Sequence, residues 1–182
     1  SFTDYTQSQP SVASFGEGLS VVVWQSQYQE AIQNGGGWNW GVYGQVFGPK
    51  GSPLGEEFLI NTYTESNQGT PAIATLEDGG FIVTWYDDSG HSGGSSYDIR
   101  GQRFDSSGEV SGDEFRVNTE VSGTQTSPAV ASLDDGGFVI TWRDDHGGSH
   151  GGSGYDIRGQ RFDVNSDPSG TEFLINATQV SG

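Results

Sequence analysis

Residues 81–86 read FIVTWY. On an extended strand Phe81, Val83 and Trp85 fall on one side, and Ile82 and Thr84 on the other. Both sides are largely apolar. A strand wetted on one face alternates apolar with polar residues, so this one is expected to be covered on both. The pattern recurs at 20–24 (SVVVW) and 138–142 (FVITW). Weaker strand signals surround each copy in a fixed order. In the second copy they are 72–76 after Pro71, then a hairpin turn at Glu77-Asp78-Gly79-Gly80, then 81–86. A Gly/Ser loop over 87–96 follows, then strands at 97–104 and 114–118. No stretch carries a helical period.

This order runs three times, over 10–65, 66–122 and 123–182, with Trp24, Trp85 and Trp142 at matching places. A repeat of about 60 residues is one supersecondary unit, which gains stability by stacking on its neighbours or closing a ring. The chain is therefore read as a single all-β repeat domain, 1–182, of three four-stranded units of β-propeller-blade type. A β-trefoil or β-prism also has three four-stranded repeats, and both stay open here. Closed propellers typically have about four to eight blades, so three would leave two apolar end faces. Residues 1–9 align with the tail of a repeat at 61–70, and the chain stops where another copy would start. The expectation is a piece of a longer array, or a chain that joins head to tail, for example two chains in a six-bladed ring.

Composition narrows the partners. Of 182 residues, 24 are acidic and 7 basic, for a formal charge of −17. Such a surface repels phosphate backbones and anionic lipid, so no nucleic-acid partner and no membrane insertion are expected. It suits divalent cations. Cysteine is absent, which removes any disulfide framework. Hydrophobic residues make up only 31%, but they cluster in short β-branched and aromatic runs, which argues against disorder.

The candidate chemistry lies after the Trp strands. The second repeat has Asp87, Asp88, His91, Tyr97 and Asp98 around a glycine-rich loop. The third has Asp144, Asp145, His146, His150, Tyr155 and Asp156. Paired acids, a flexible stretch and a further acid can wrap a hard cation such as Ca2+, which takes about six to eight oxygens in irregular geometry. Asp87, Asp88, Asp98, Asp144, Asp145 and Asp156 are the candidate metal ligands, and Ca2+ the expected cofactor. The first repeat has Gln25, Ser26 and Gln27 instead. It carries Trp38 and Trp40; Trp40 aligns with Tyr97 and Tyr155, and Trp38 has no counterpart. An indole flanked by glycines can stack on a sugar ring, so Trp38, Trp40, Tyr97 and Tyr155 are candidate ligand contacts. Arg100 and Arg158, in the repeated motif Ile-Arg-Gly-Gln-Arg-Phe-Asp, either pair with acids or hold a carboxylated sugar. The glycine of that motif, Gly44, Gly101 or Gly159, allows close approach of an adjacent strand or sheet. No nucleophile elbow, P-loop or zinc-protease motif is present in the sequence. Repeats also tend to place the same residue in every copy, whereas an active site needs a unique set. The expectation is a protein that is not an enzyme.

The motifs Asp-Gly-Gly-Phe-(Val/Ile)-(Val/Ile)-Thr-Trp, Tyr-Asp-Ile-Arg-Gly-Gln-Arg-Phe-Asp and Glu-Phe-X-(Ile/Val)-Asn resemble repeats of large secreted bacterial proteins of the hemolysin-type calcium-binding and adhesin-like kind. The resemblance is close in repeats two and three and poorer in the first. It implies an extracellular, bacterial setting, tandem arrays and calcium. On this reading the chain is a calcium-stabilised, lectin-like module binding carbohydrate at a cell surface or matrix. The alternative is a structural subunit of an extracellular filament, its partner a further copy of itself.

Overall fold

The computed structural model describes residues 6–16, 18–27, 39–90, 97–145 and 154–176. These form twelve strands in three four-stranded antiparallel sheets, one per repeat. The first sheet is β1 (Gln7–Phe15), β2 (Leu19–Gln27), β3 (Trp40–Phe47) and β4 (Pro53–Leu59). The second is β5 (Gln68–Thr75), β6 (Phe81–Asp87), β7 (Asp98–Phe104) and β8 (Phe115–Arg116). The third is β9 (Gln125–Ser132), β10 (Phe138–Asp144), β11 (Asp156–Phe162) and β12 (Phe173–Leu174). Within each sheet the strands lie side by side in chain order. The first strands β1, β5 and β9 adjoin, and the fourth strands form the opposite edge of each sheet. This is a propeller-like arrangement. No helix among the described residues is long and apolar enough to cross a membrane.

The two-faced strands explain the stacking. Ile82 and Val83 point to opposite sides of β6, and both are fully buried. Val83, Trp85, Phe81 and Phe104 pack against Val21, Val23, Val42 and Ile60 of the first sheet. On the other side Ile82, Ile99, Val117 and Leu76 pack against Phe138, Ile140, Trp142 and Phe162 of the third. Rings reinforce the first seam: Phe15 meets Phe81 edge-on across it at 5.1 Å, and Phe81 stacks on Phe104 of its own sheet at 4.7 Å.

Two details depart from the sequence expectation. The first strand of the second repeat begins at Gln68, before Pro71. The strand passes the proline through a bulge, where the register with β6 shifts between Gly69 and Ala72 and Thr70 takes φ 47°. Gln9 and Ser127 sit before their own prolines with φ 54° and 55°, so the device is repeated in all three sheets. The second detail concerns Gly44, Gly101 and Gly159. Here the neighbour is a single ring of the fourth strand: a Cβ on Gly101 would lie 2.8 Å from Phe115 Cζ, and one on Gly159 2.8 Å from Phe173 Cζ.

Candidate functional site at the sheet seams

Asp87 closes β6 directly opposite Asp98 at the start of β7, and Asp144 and Asp156 face each other the same way in the third sheet. The turn of strand to loop therefore gathers the acids, as their spacing predicts. Burial then decides what they do. Asp87 and Asp144 are each 2% exposed, and a carboxylate so deep must be paired. Asp87 lies 2.6 Å from Arg100 Nε and accepts from Gln68 Nε2 at 3.0 Å and Ser89 Oγ at 2.8 Å. Arg100 Nη1 reaches on to Glu114 Oε1 at 3.1 Å. Asp144 pairs with Arg158 at 2.6 Å, and Arg158 with Glu172 at 3.0 Å.

The remaining acids also serve the backbone and its neighbours. Asp98 accepts from Asn118 Nδ2 at 2.8 Å, and Asp156 from Asn176 Nδ2 at 3.1 Å. Asp88 accepts from Asn67 through both oxygens, and Asp145 from the Thr124 N–H. Among the described residues no group of three or more His, Asp or Glu side chains stands together as a metal site would need. His91, His146, His150 and Trp38 lie outside the described residues. Trp40 opens β3, Tyr97 meets Tyr86 edge-on at 5.2 Å, and Tyr155 lies under the Arg143 guanidinium at 4.2 Å.

The Asp-Gly-Gly turns behave as read, with an addition. Asp78 accepts from the Gly80 N–H at 3.0 Å and also pairs with Arg103 at 2.5 Å. Burial pushes the Asp78 carboxyl up, but the Gly80 N–H and the Arg103 guanidinium outweigh it and hold it below the usual 3.8. Asp135 pairs with Arg161 in the third sheet.

Sequence reasoning passed over the residues that stitch one sheet to the next. Thr62, after the first sheet, donates through N–H and Oγ1 to Glu114 Oε2, both at 2.7 Å. Thr119 does the same to Glu172, both at 2.8 Å. Superposing the repeats would have revealed them, since Asn-Thr-Tyr at 61–63 matches Asn-Thr-Glu at 118–120. That match also contains the one difference that changes the site. Tyr63 lies over Arg100, its ring centroid 4.5 Å from the guanidinium, and Arg100 is 7% exposed. At the next seam Glu120 stands in its place and accepts from Ser122 Oγ. Arg158 is 19% exposed, and a cavity of about 420 Å3 opens beside Arg158, Gln160, Glu172, Thr119 and Glu120.

No protein-family model matches this chain, and no curated protein matches it. Solved structures share its fold. An endo-arabinase from Bacteroides thetaiotaomicron superposes with a TM-score of 0.59 at 16% identity, covering 92% of this chain and 61% of the enzyme. An N-acetylgalactosamine deacetylase from F. plautii gives 0.58 at 13%, covering 92% of this chain and 52% of that one. A thermostable family-43 glycoside hydrolase gives 0.58 at 12%, covering 93% and 53%. The chain thus spans less than two-thirds of the length of each.

These neighbours correct the functional expectation. The sequence predicts a protein that is not an enzyme, either a calcium-binding, lectin- or adhesin-like module or a filament subunit. The fold found is one on which carbohydrate-processing enzymes are built. The physical error lies in the premise that repeats carry the same residue in every copy. Here the copies differ where it matters: Ser26 and Tyr43 occupy the places of Asp87 and Arg100, and Glu120 that of Tyr63. A pseudo-symmetric scaffold with such differences can hold a unique site.

Proposed function

We propose that this chain is a carbohydrate-processing propeller that takes a neutral sugar ring into the seam between its second and third sheets. The observation that carries the reading is the cavity beside Arg158, at the seam where Glu120 stands in the place of Tyr63. A sugar ring there would sit beside the Arg158 guanidinium, in the place that the Tyr63 ring takes beside Arg100. Arg158 would donate to ring hydroxyls, and Glu120 would accept from them. Two carboxylates against one guanidinium, on a chain of charge −17, disfavour an acidic sugar. The fold shared with an arabinan-directed enzyme and an N-acetylgalactosamine deacetylase supports the carbohydrate class.

The test is turnover on arabinan, galactan and N-acetylgalactosamine-bearing glycans, read as new reducing ends and as released acetate. One of these is expected to react. Glu120→Tyr rebuilds the closed seam and is expected to lower turnover about tenfold or more, equivalent to about 1.4 kcal/mol of lost ligand contact. Full activity in Glu120→Tyr would remove the cavity from the reading. A chain inert on the whole panel would remove the reading itself.

A further inference from the structure

The two seams between the three sheets share one frame. At the first, Thr62 donates twice to Glu114 Oε2 at 2.7 Å, and Arg100 holds Asp87 at 2.6 Å and Glu114 at 3.1 Å. At the second, Thr119 donates twice to Glu172 Oε2 at 2.8 Å, and Arg158 holds Asp144 at 2.6 Å and Glu172 at 3.0 Å. Two residues beyond each arginine a glutamine donates to a glycine carbonyl, Gln102 to Gly112 at 3.1 Å and Gln160 to Gly170 at 3.2 Å. On this common frame the residue after the threonine differs. Tyr63 sets its phenol ring 4.5 Å from the Arg100 guanidinium, and Arg100 is 7% exposed. Glu120 follows Thr119, and its Oε1 accepts from the Ser122 N–H at 3.0 Å. Arg158 is 19% exposed and lines, with Glu120 and Glu172, the cavity of about 420 Å3.

The first seam thus displays, within this chain, a group that fits the frame of the second. We infer that the cavity beside Arg158 binds a small neutral phenol, its ring against the guanidinium as the Tyr63 ring lies against Arg100. The N–H groups of a guanidinium lie in its plane, and those of Arg158 reach Asp144 and Glu172. Its flat face is then the surface left for the π-electrons of a ring. Charge selects the neutral form. Arg158 already has two carboxylates, and Glu120 lines the same cavity, so an acidic group on the ring would meet more negative charge than positive. A phenol and a sugar ring would exclude each other here. Competition between them rests on the sugar reading; uptake of the phenol by itself does not.

The probe is p-cresol, the tyrosine side chain without its backbone, titrated into the whole chain and followed by calorimetry and by NMR of the arginine side chains. The expected result is one saturable site with a dissociation constant on the order of 1 mM, as suits a ligand of so few atoms. The Arg158 side-chain protons are expected to move upfield under the ring. p-Toluate, the same ring carrying a carboxylate, is expected to bind about tenfold more weakly or worse. The two seams can then be exchanged. Glu120→Tyr is expected to abolish the site, and Tyr63→Glu to add a second one beside Arg100, both with an unchanged circular dichroism spectrum. No saturable uptake by the unaltered chain would overturn the inference. So would uptake that Glu120→Tyr leaves at full strength, a single site in a folded Tyr63→Glu chain, or p-toluate binding as tightly as p-cresol. A chain that takes up p-cresol yet is inert on every glycan loses the sugar reading alone. One that turns over a glycan and ignores p-cresol loses the phenol site alone.

Discussion

Arg100 holds two carboxylates while 7% of its side chain is exposed, with Asp87 at 2.6 Å and Glu114 at 3.1 Å. Removing one partner of a buried pair strands the other charge. Asp87→Ala is therefore expected to cost about 3–5 kcal/mol in urea unfolding. The first sheet offers a neutral solution at the same place, with Ser26 and Tyr43. The double change Asp87→Ser with Arg100→Tyr should then cost clearly less than the sum of the two single changes. A cycle that simply adds would mean that the neutral pair cannot replace the charged one. Pairing with acids was one of the two readings the sequence left open for Arg100 and Arg158, and the structure shows those ion pairs. The sequence did not reveal which acids, because Glu114 and Asp87 meet only when the fourth strand packs beside the third.

At the scale of the element, the Asp-Gly-Gly turns and the central strands were legible from local pattern alone. Turn chemistry and period-two burial act over a few residues. The start of each first strand was not, because proline ordinarily marks a strand boundary and here it is crossed by a bulge at Thr70. The Gly-Phe contact shows the same division. Alanine in place of a strand-interior glycine would ordinarily gain about 0.5–1 kcal/mol. At Gly101 the added Cβ would meet Phe115 Cζ at 2.8 Å, so steric strain reverses the sign. Gly101→Ala is expected to destabilise by about 1–3 kcal/mol in urea unfolding. Phe115→Leu in the same chain should recover part of that loss. No recovery would show that the ring is not the obstacle.

At the scale of the molecule, 24 acids against 7 bases give a folded chain that repels itself. Salt screens such repulsion, the Debye length falling from about 10 Å at 0.1 M to about 3 Å at 1 M. The melting temperature by circular dichroism is expected to rise by a few degrees or more across that range. A melting temperature that falls with salt would mean that the ion pairs around Arg100 and Arg158 outweigh the net repulsion. The sequence by itself determined the all-β class, the three repeats, the two-faced central strands and the acid-rich turns. All of these follow from periodicity and turn preference, which act between near neighbours. Only the tertiary structure decided that Asp87 and Asp144 pair with arginines, that Asp88, Asp98 and Asp156 accept from asparagines, and that a cavity lies beside Glu120 at one seam while Tyr63 lies over the arginine at the other. These depend on which side chains meet across sheets far apart in the chain, and a local pattern carries no record of such meetings.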